Sequence, residues 1–506
     1  MDSTLSAQPS SQSSGSSSPK ELPEMFRPPV NRAMRVLDRS FFRKTVPLSA
    51  ATVFEQRNIA RVRKELESAK DILDPPMAGI NKIRQAPAGT VITGKGGERK
   101  ETIPEQSPLK CLLLREDIKH NDKSTWTPKI NQLVEEGTVG LGGYNLELNY
   151  DNWPYHDIIT SILPEEALKG ETPMGFTING HILHLNLREA YYPYKYLIGE
   201  ILKDKNPGVR TVINKTEDVG SHSEFRTFPF EILAGDDDMV VTVHEQDCEF
   251  RFDFSKVYWN SRLETEHRRL VRKFQPGELV CDVMAGVGPF AVPAGRKRIF
   301  VWANDLNPEC YTAMNWAIDR NHVKDFVTAF NMDGREFIRQ SAGTLLDEHP
   351  KTVTIKPKKR KTVKGTASPS PPPQPEVYVR PPTVDHYVMN LPATAIDFLD
   401  AFIGAFSGKE ELFEPYTDRK LPFIHVYCFA GKSEDERDDH VEICKRISER
   451  MGFTLTPDDT VDGTGNRERE LEIHNVRLVS PSKQMFCASF RLPREVAFKS
   501  VLQVYT

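Results

Sequence analysis

The spacing of apolar residues changes along the chain, and each change marks a different kind of structure. After two dozen opening residues rich in Ser and Gln, residues 25–149 hold one clear helical stretch, 58–71, set in irregular Pro- and Gly-containing sequence. Asn58 stands where an N-cap belongs. Between 150 and 255 apolar residues alternate in short runs, at 182–187, 209–213, 239–244 and 248–254. A period of two puts successive side chains on opposite faces, which predicts half-buried strands. The apolar stretch 194–202 reads as a helix among them, so this region is α+β. Beyond 256 the runs become nearly continuous, at 278–284, 299–304, 326–331, 386–390 and 423–429, with helical stretches between most of them. Buried strands alternating with helices predict a parallel sheet covered on both faces.

The expected organisation is therefore a disordered Ser-rich tail (1–24), a mainly helical N-terminal domain (25–149), an α+β domain (150–255) and a Rossmann-like α/β domain (256–506). The tail cannot bury enough apolar surface to fold. Residues 342–384 break the rhythm of the last domain. Lys356, Lys358, Lys359, Arg360, Lys361 and Lys364 are followed by a Ser/Pro tract, which predicts a low-complexity insertion looping out of the sheet. The basic cluster at 357–361 reads as a nuclear import signal, an RNA-contacting tail or a solvated linker.

At 506 residues the chain exceeds what one core supports. The longest candidate for a membrane span, 387–406, is broken by Asn390, Pro392, Asp397 and Asp400, so it holds no uninterrupted apolar run near the ~20 residues a span requires and reads as a strand followed by a buried helix. The 7 cysteines form no CxxC pair and no secreted disulfide framework, which favours a reducing compartment and argues against a zinc site. A net charge of −4 does not announce a nucleic-acid partner, so any positive surface must be local. From Met25 a basic, nearly acid-free stretch (Arg27, Arg32, Arg35, Arg39, Arg43, Lys44) resembles a mitochondrial transit segment, or else begins a basic domain.

Candidate chemistry lies at the ends of the predicted parallel strands. Asp282-Val-Met-Ala-Gly286-Val-Gly288-Pro-Phe290 sits where the first strand turns into a helix, and glycines there let a ligand approach the backbone. Asp305, in Ala303-Asn304-Asp305-Leu306-Asn307, follows about 20 residues later, where a carboxylate can accept from ribose hydroxyls. Asn331-Met-Asp333-Gly334 ends the third strand and Asn390-Leu-Pro392-Ala393 the fourth. Each alone suits an ordinary turn or helix cap. Together, in this order, they predict a nucleotide-like cofactor.

Four stretches go further: Phe26-Arg-Pro-Pro-Val-Asn-Arg-Ala-Met34, Val257-Tyr-Trp-Asn-Ser-Arg-Leu-Glu-Thr-Glu-His267, Asp282 to Phe290, and Asn390-Leu-Pro392. They resemble the archaeal and eukaryotic tRNA (guanine(37)-N1)-methyltransferase family over about residues 25–340 and 384–506. The resemblance implies a class I methyltransferase fold, S-adenosyl-L-methionine as cofactor, and a tRNA with guanosine at position 37 as partner, gripped by the N-terminal domain. It implies Glu266 as general base, with Arg226 at the guanine base. His267, Asp282, Gly286, Gly288, Asp305, Leu306, Asp333, Gly334, Asn390 and Pro392 would line the cofactor pocket. Tyr258, Arg262 and Arg226 would face the substrate, and Asn390 would also serve the reaction. Met284 stands where the family pattern leads one to expect Phe, and Ala33 where it leads one to expect Gly; neither change removes a polar group. The family works in the cytoplasm, the nucleus and the mitochondrial matrix, and nothing demands more than a monomer.

The chemistry needs such residues. N1 of guanine carries a proton at neutral pH, so a carboxylate must accept it before the nitrogen can attack, while charge builds on O6. A Glu266 raised toward neutrality by partial burial would suit the task, and a helix-surface acid paired with Arg269 or Arg262 is the plain alternative. The run His267, Arg268, Arg269, Arg272, Lys273 reads as phosphate contacts or as a solvated helix face. No aromatic follows Asn390-Leu-Pro392, which disfavours an exocyclic amine as acceptor. Two rivals stand beside methyl transfer: an aminocarboxypropyl transferase of wybutosine synthesis, and a non-catalytic tRNA-binding protein.

Overall fold

The computed structural model describes residues 23–74, 79–94, 100–169, 172–216, 225, 227–343, 351–356 and 374–500. Of the Ser-rich tail (1–24), residues 1–22 lie outside them, while Glu24 opens the short helical turn Glu24–Phe26. The chain divides into two compact units: Met1–Gly175 with Leu187–Pro207, and Phe176–Asn186 with Gly208–Thr506.

The first unit is built on a sheet, which corrects the expectation of a mainly helical N-terminal domain. Six strands pair in the spatial order 83–85, 110–113, 44–53, 139–148, 91–93, 100–102. The long central pair, Lys44–Val53 and Val139–Leu148, runs antiparallel with Lys44 opposite Leu148 and Val53 opposite Val139. Val139–Leu148 has Val139 as its one β-branched residue, Lys44–Val53 is interrupted by Pro47 and small residues, and the pairing joins segments far apart in sequence, so local periodicity carries little trace of it. The helix expected at 58–71 forms as Ile59–Ser68, burying Val62 and Leu66 against the sheet. Asn58 stands at its N-cap position without capping it; its amide donates instead to Glu55. The basic stretch after Met25 belongs to this fold. Phe26 and Phe42 are buried within it, and Arg32 donates to the carbonyls of Thr160 and Leu163.

The second unit centres on a seven-stranded sheet: β1 (Leu279–Asp282), β2 (Phe300–Asn304), β3 (Val327–Phe330), β4 (His386–Met389), β5 (Phe423–Gly431), β6 (Glu472–Ser480) and β7 (Lys483–Arg491). Their spatial order is β3-β2-β1-β4-β5-β7-β6. The five strands read from apolar runs are β1 to β5 and are parallel; β7 joins β5 antiparallel, and β6 joins β7 antiparallel. Five helices matter for the site: α1 (Glu264–Val271), α2 (Ala291–Arg296), α3 (Pro308–Arg320), α4 (Gly334–Ala342) and α5 (Glu436–Met451). The order of β1 to β5 reverses direction between β1 and β4, the crevice where open α/β sheets take ligands.

The stretch 150–255 does not stand as one body. Its helices, including Lys195–Lys205, group with the first unit, and its strands with the second. The reason is burial: Ile182, Ile213, Val241 and Phe250 belong to the same apolar core as β1 and β4. The ends of the 342–384 insertion also fold. Thr352–Ile355 pairs antiparallel with Glu376–Val379, and Val353 and Val384 join the core, correcting the expectation that the whole of 342–384 loops out of the sheet domain. The basic cluster at 357–361 lies outside the described residues.

Gly295 shows how tightly α2 sits on the sheet. A Cβ there would overlap the Val327 Cγ2 methyl and lie 3.1 Å from Val323 Cβ. Alanine gains about 1 kcal/mol of helix propensity over glycine, while overpacking a closed core costs about 1–3 kcal/mol. Gly295→Ala is therefore expected to lower the denaturant midpoint rather than raise it.

Candidate active site

The C-terminal edge of the parallel strands gathers most of the residues singled out in the sequence. Asp282 ends β1 and is fully buried, and among the described residues neither carboxylate oxygen has a hydrogen-bond partner. Burial, and after it the nearby Asp305 charge, pushes its carboxyl well above the usual range. The following turn holds Gly286 and Gly288 at φ of +57° and +92°, a region L side chains seldom enter. Space beyond Gly286 is open, whereas Gly288 packs on Val292 and Met314.

Asp305 follows β2 and reaches back across the turn. Its Oδ2 accepts from the Gly286 amide at 2.8 Å and its Oδ1 from the Asn307 amide at 2.9 Å. Burial raises its carboxyl too. Leu306 beside it is 45% exposed, an apolar face at the rim. After β3, Asp333 caps α4 through Oδ1, which accepts from the amides of Arg335 and Glu336. The cap and a ligand role are compatible, because Oδ2 accepts no hydrogen bond among the described residues. A Cβ on Gly334 would meet Phe398 and Val283 at 3.2 and 3.3 Å. Asn390 follows β4, half-buried, and its side chain makes no hydrogen bond among the described residues. Pro392 is buried and accepts the Phe429 amide.

These residues fit a nucleoside-bearing cofactor on their own chemistry. They offer a buried carboxylate without partners, a turn open to a ligand, a leftover Asp333 oxygen and an unpartnered amide, all at one sheet edge. Among the described residues no cluster suits a metal ion.

Helix α1 supplies the second half of the site. Glu266 is 4% exposed, so it is not a surface acid. Arg269, one helical turn on, pairs with it bidentately, Nε to Oε2 at 2.6 Å and Nη2 to Oε1 at 2.7 Å. The Tyr427 hydroxyl on β5 donates to Oε1 at 2.7 Å. Tyr427 was not legible as a site residue, because it comes from a strand 161 positions away. Burial, with Cys487 and Glu266 nearby, holds its phenol far above the usual range, so it stays a donor. His474 on β6 places Nε2 3.5 Å from Glu266 Oε2.

His267 points elsewhere: buried, with Nδ1 2.6 Å from Glu245 Oε1 and its ring edge-on to Phe290, which ends the glycine turn. The basic run is thus largely consumed within the fold. Arg268 pairs with Glu264, and Lys273 with Glu472. Arg272 is exposed and makes no ion pair among the described residues. Arg262 donates to Thr177 Oγ1 at 3.2 Å, and the Tyr258 hydroxyl accepts from Asn260. Arg226 lies outside the described residues.

Comparison with known proteins bears on the same regions. Residues 155–238 match the TYW2 N-terminal domain family, and residues 241–364 match the TRM5/TYW2 methyltransferase domain. A tRNA (guanine(37)-N(1))-methyltransferase of Aspergillus fumigatus is 65% identical over 491 residues, covering 97% of this chain and 99% of that protein. The chain belongs to the tRNA (guanine(37)-N(1))-methyltransferase family. The Schizosaccharomyces pombe member is 41% identical, covering 92% of this chain and 95% of that protein. Among solved structures, Trm5b from Pyrococcus abyssi shares the fold, with a TM-score of 0.52 at 19% identity over 88% of this chain and 99% of that one. The complex of aTrm5 with tRNALeu matches at the same TM-score and 18% identity, over 88% and 99% of the two chains.

Asp282 makes the cofactor-free protein sensitive to pH. Its folded-state pKa is raised, so the folded chain holds the proton more tightly than the unfolded one and loses stability as pH rises above the unfolded carboxylate value of about 3.9. Asp282→Asn removes the titration at nearly constant shape. Thermal unfolding without cofactor is expected to show the variant gaining on wild type as pH climbs from 4 toward 7, with the difference largest at the upper end.

Proposed function

We propose that this chain transfers a methyl group from S-adenosyl-L-methionine to N1 of guanosine at position 37 of tRNA, with Glu266 as general base. The observation that carries the reading is the pairing of two half-sites in one unit. A ligand edge at Asp282, Gly286, Gly288, Asp305, Asp333 and Asn390 lies on the same sheet that buries the Glu266 carboxylate beneath β5. The identity to curated members over nearly the whole chain supports the same reaction.

S-adenosyl-L-methionine, when bound, supplies a methyl on a sulfonium centre, already activated for displacement. The protein must hold the acceptor in line and remove its proton. Asp305 would take the ribose hydroxyls through lone pairs its two amide contacts leave free. Leu306 would lie against the adenine ring, and Asp333 Oδ2 would accept from its amino group. Asp282, Gly334, Pro392 and His267 shape the walls, His267 through Phe290. Glu266 carries about four acceptor directions. Arg269 and Tyr427 occupy three, which leaves one on Oε2 for the N1 proton. Asn390 would orient the base through its unpartnered amide, Tyr258 and Arg262 would hold the nucleotide, and Arg226 would offset charge on O6.

Asn390-Leu-Pro392 together with the buried Glu266 favours methyl transfer over aminocarboxypropyl transfer, which has no use for a base at N1. Among the described residues no helix is long and apolar enough to cross a membrane. The chain acts as a monomer in the cytoplasm, nucleus and mitochondrial matrix. Because the basic stretch after Met25 carries buried Phe26 and Phe42, a matrix address there would stay attached to the working protein.

The test is methyl incorporation from labelled S-adenosyl-L-methionine into two transcripts that differ only in guanosine or adenosine at position 37. Incorporation into the guanosine transcript alone is expected. Equal incorporation into both would sink the position, and an aminocarboxypropyl adduct would sink the reaction.

A further inference from the structure

A buried base must dispose of the proton it takes, and the groups around Glu266 differ sharply in their capacity to receive it. Arg269 is a cation held by its ion pair, with no lone pair to offer. Tyr427 keeps its own proton, its phenol pushed far above the usual range by burial. His474 is the remaining neighbour. Its Nε2 lies 3.5 Å from Oε2, the oxygen that retains a free direction, and its side chain is 40% exposed where that of Glu266 is 4%. One end of the imidazole thus faces the carboxylate while the residue as a whole reaches solvent.

We propose that His474 is a proton relay for Glu266, coupling the buried carboxylate to bulk water. This rests on Glu266 being the base. In the step, the N1–H bond breaks and its electron pair becomes the nucleophile that forms the N1–CH3 bond, as the methyl leaves sulfur with the S–C pair returning to sulfur. The proton lands on Oε2 in its one open direction; once the methylated base withdraws, the carboxyl O–H turns to the lone pair of His474 Nε2, His474 releases its Nδ1 proton to water, and proton exchange with water returns it to the starting tautomer. An acceptor of histidine basicity behind the carboxylate also makes abstraction from N1 less uphill than a lone carboxylate would.

The surroundings keep the imidazole ready to accept. Burial comes first and the Arg269 charge next in lowering its pKa below 6.5; Lys273 adds to this, while Glu266 and Glu472 oppose it. Cys487 stands opposite His474 on β7. At neutral pH His474 is therefore mostly uncharged, and acid blocks it.

The test is single-turnover methyl transfer to the guanosine-37 transcript at saturating S-adenosyl-L-methionine, from pH 5 to 9, in wild type, His474→Ala, His474→Gln and Glu266→Ala. The relay predicts a fall of about 10-fold in both His474 variants, below the roughly 10²–10⁴ of a direct acid–base group. It predicts restoration of the alanine variant by added imidazole, which can enter from solvent. It also predicts that wild type loses rate on acidification, at a pH below the ordinary histidine value of about 6.5, while the His474 variants lack that limb. Wild-type rates in both variants at every pH would overturn it. So would a slow variant that keeps the acid limb and ignores imidazole, since that marks a merely structural contact. Glu266→Ala at the wild-type rate would instead refute the base itself and the relay with it.

Discussion

A carboxylate buried in the second unit, and the two donors that make its burial tolerable, set the terms for everything around it. Glu266 is removed from water, so its charge survives only because Arg269 grips both oxygens and Tyr427 adds a third hydrogen bond. Stripping one partner from a buried ion pair costs about 3–5 kcal/mol, as the other charge is left unpaired. That cost ties α1, β5 and, through Glu472 and His474, β6 into a single arrangement. The antiparallel strands β7 and β6 appended to a parallel sheet are what bring His474 to the same place.

The cofactor edge follows from a different constraint. Parallel strands turn into helices at their C-terminal ends, so successive loops deliver Asp282, the two glycines, Asp305, Asp333 and Asn390 to one rim by topology alone. The rim is internally braced: Asp305 fastens the glycine turn through Gly286, and Asp333 caps α4. Both carboxylates hold structure with one part of their acceptor capacity and keep the rest for a ligand. Asp282 has no such contact among the described residues, which is why it is the group whose ionisation costs the fold most at this rim.

How much of this was readable in the sequence depends on the range of the interaction. Nearly continuous apolar runs are a local property, and all five became β1 to β5. The rim residues follow from them, since a strand end fixes where the next loop starts. The Arg269 partner of Glu266 was visible as an i,i+3 spacing, although its burial was not. Tyr427 and His474 were invisible, because only the pairing of β5, β7 and β6 brings them to α1. The N-terminal sheet was missed for the same reason: Lys44–Val53 finds Val139–Leu148 through long-range pairing, across the intervening residues 54–138, a separation that local periodicity cannot see. The helices of 150–255 separate from its strands because burial, not sequence proximity, decides which core a segment joins.

The most direct test of the central claim is the single-turnover rate of Glu266→Gln on a guanosine-37 tRNA, with the cofactor dissociation constant measured alongside. Glutamine keeps the shape and the Tyr427 contact but cannot take a proton from N1. The rate is expected to fall by about 10²–10⁴ with cofactor affinity unchanged. A folded variant that transfers methyl at the wild-type rate would contradict the assignment of Glu266 as base.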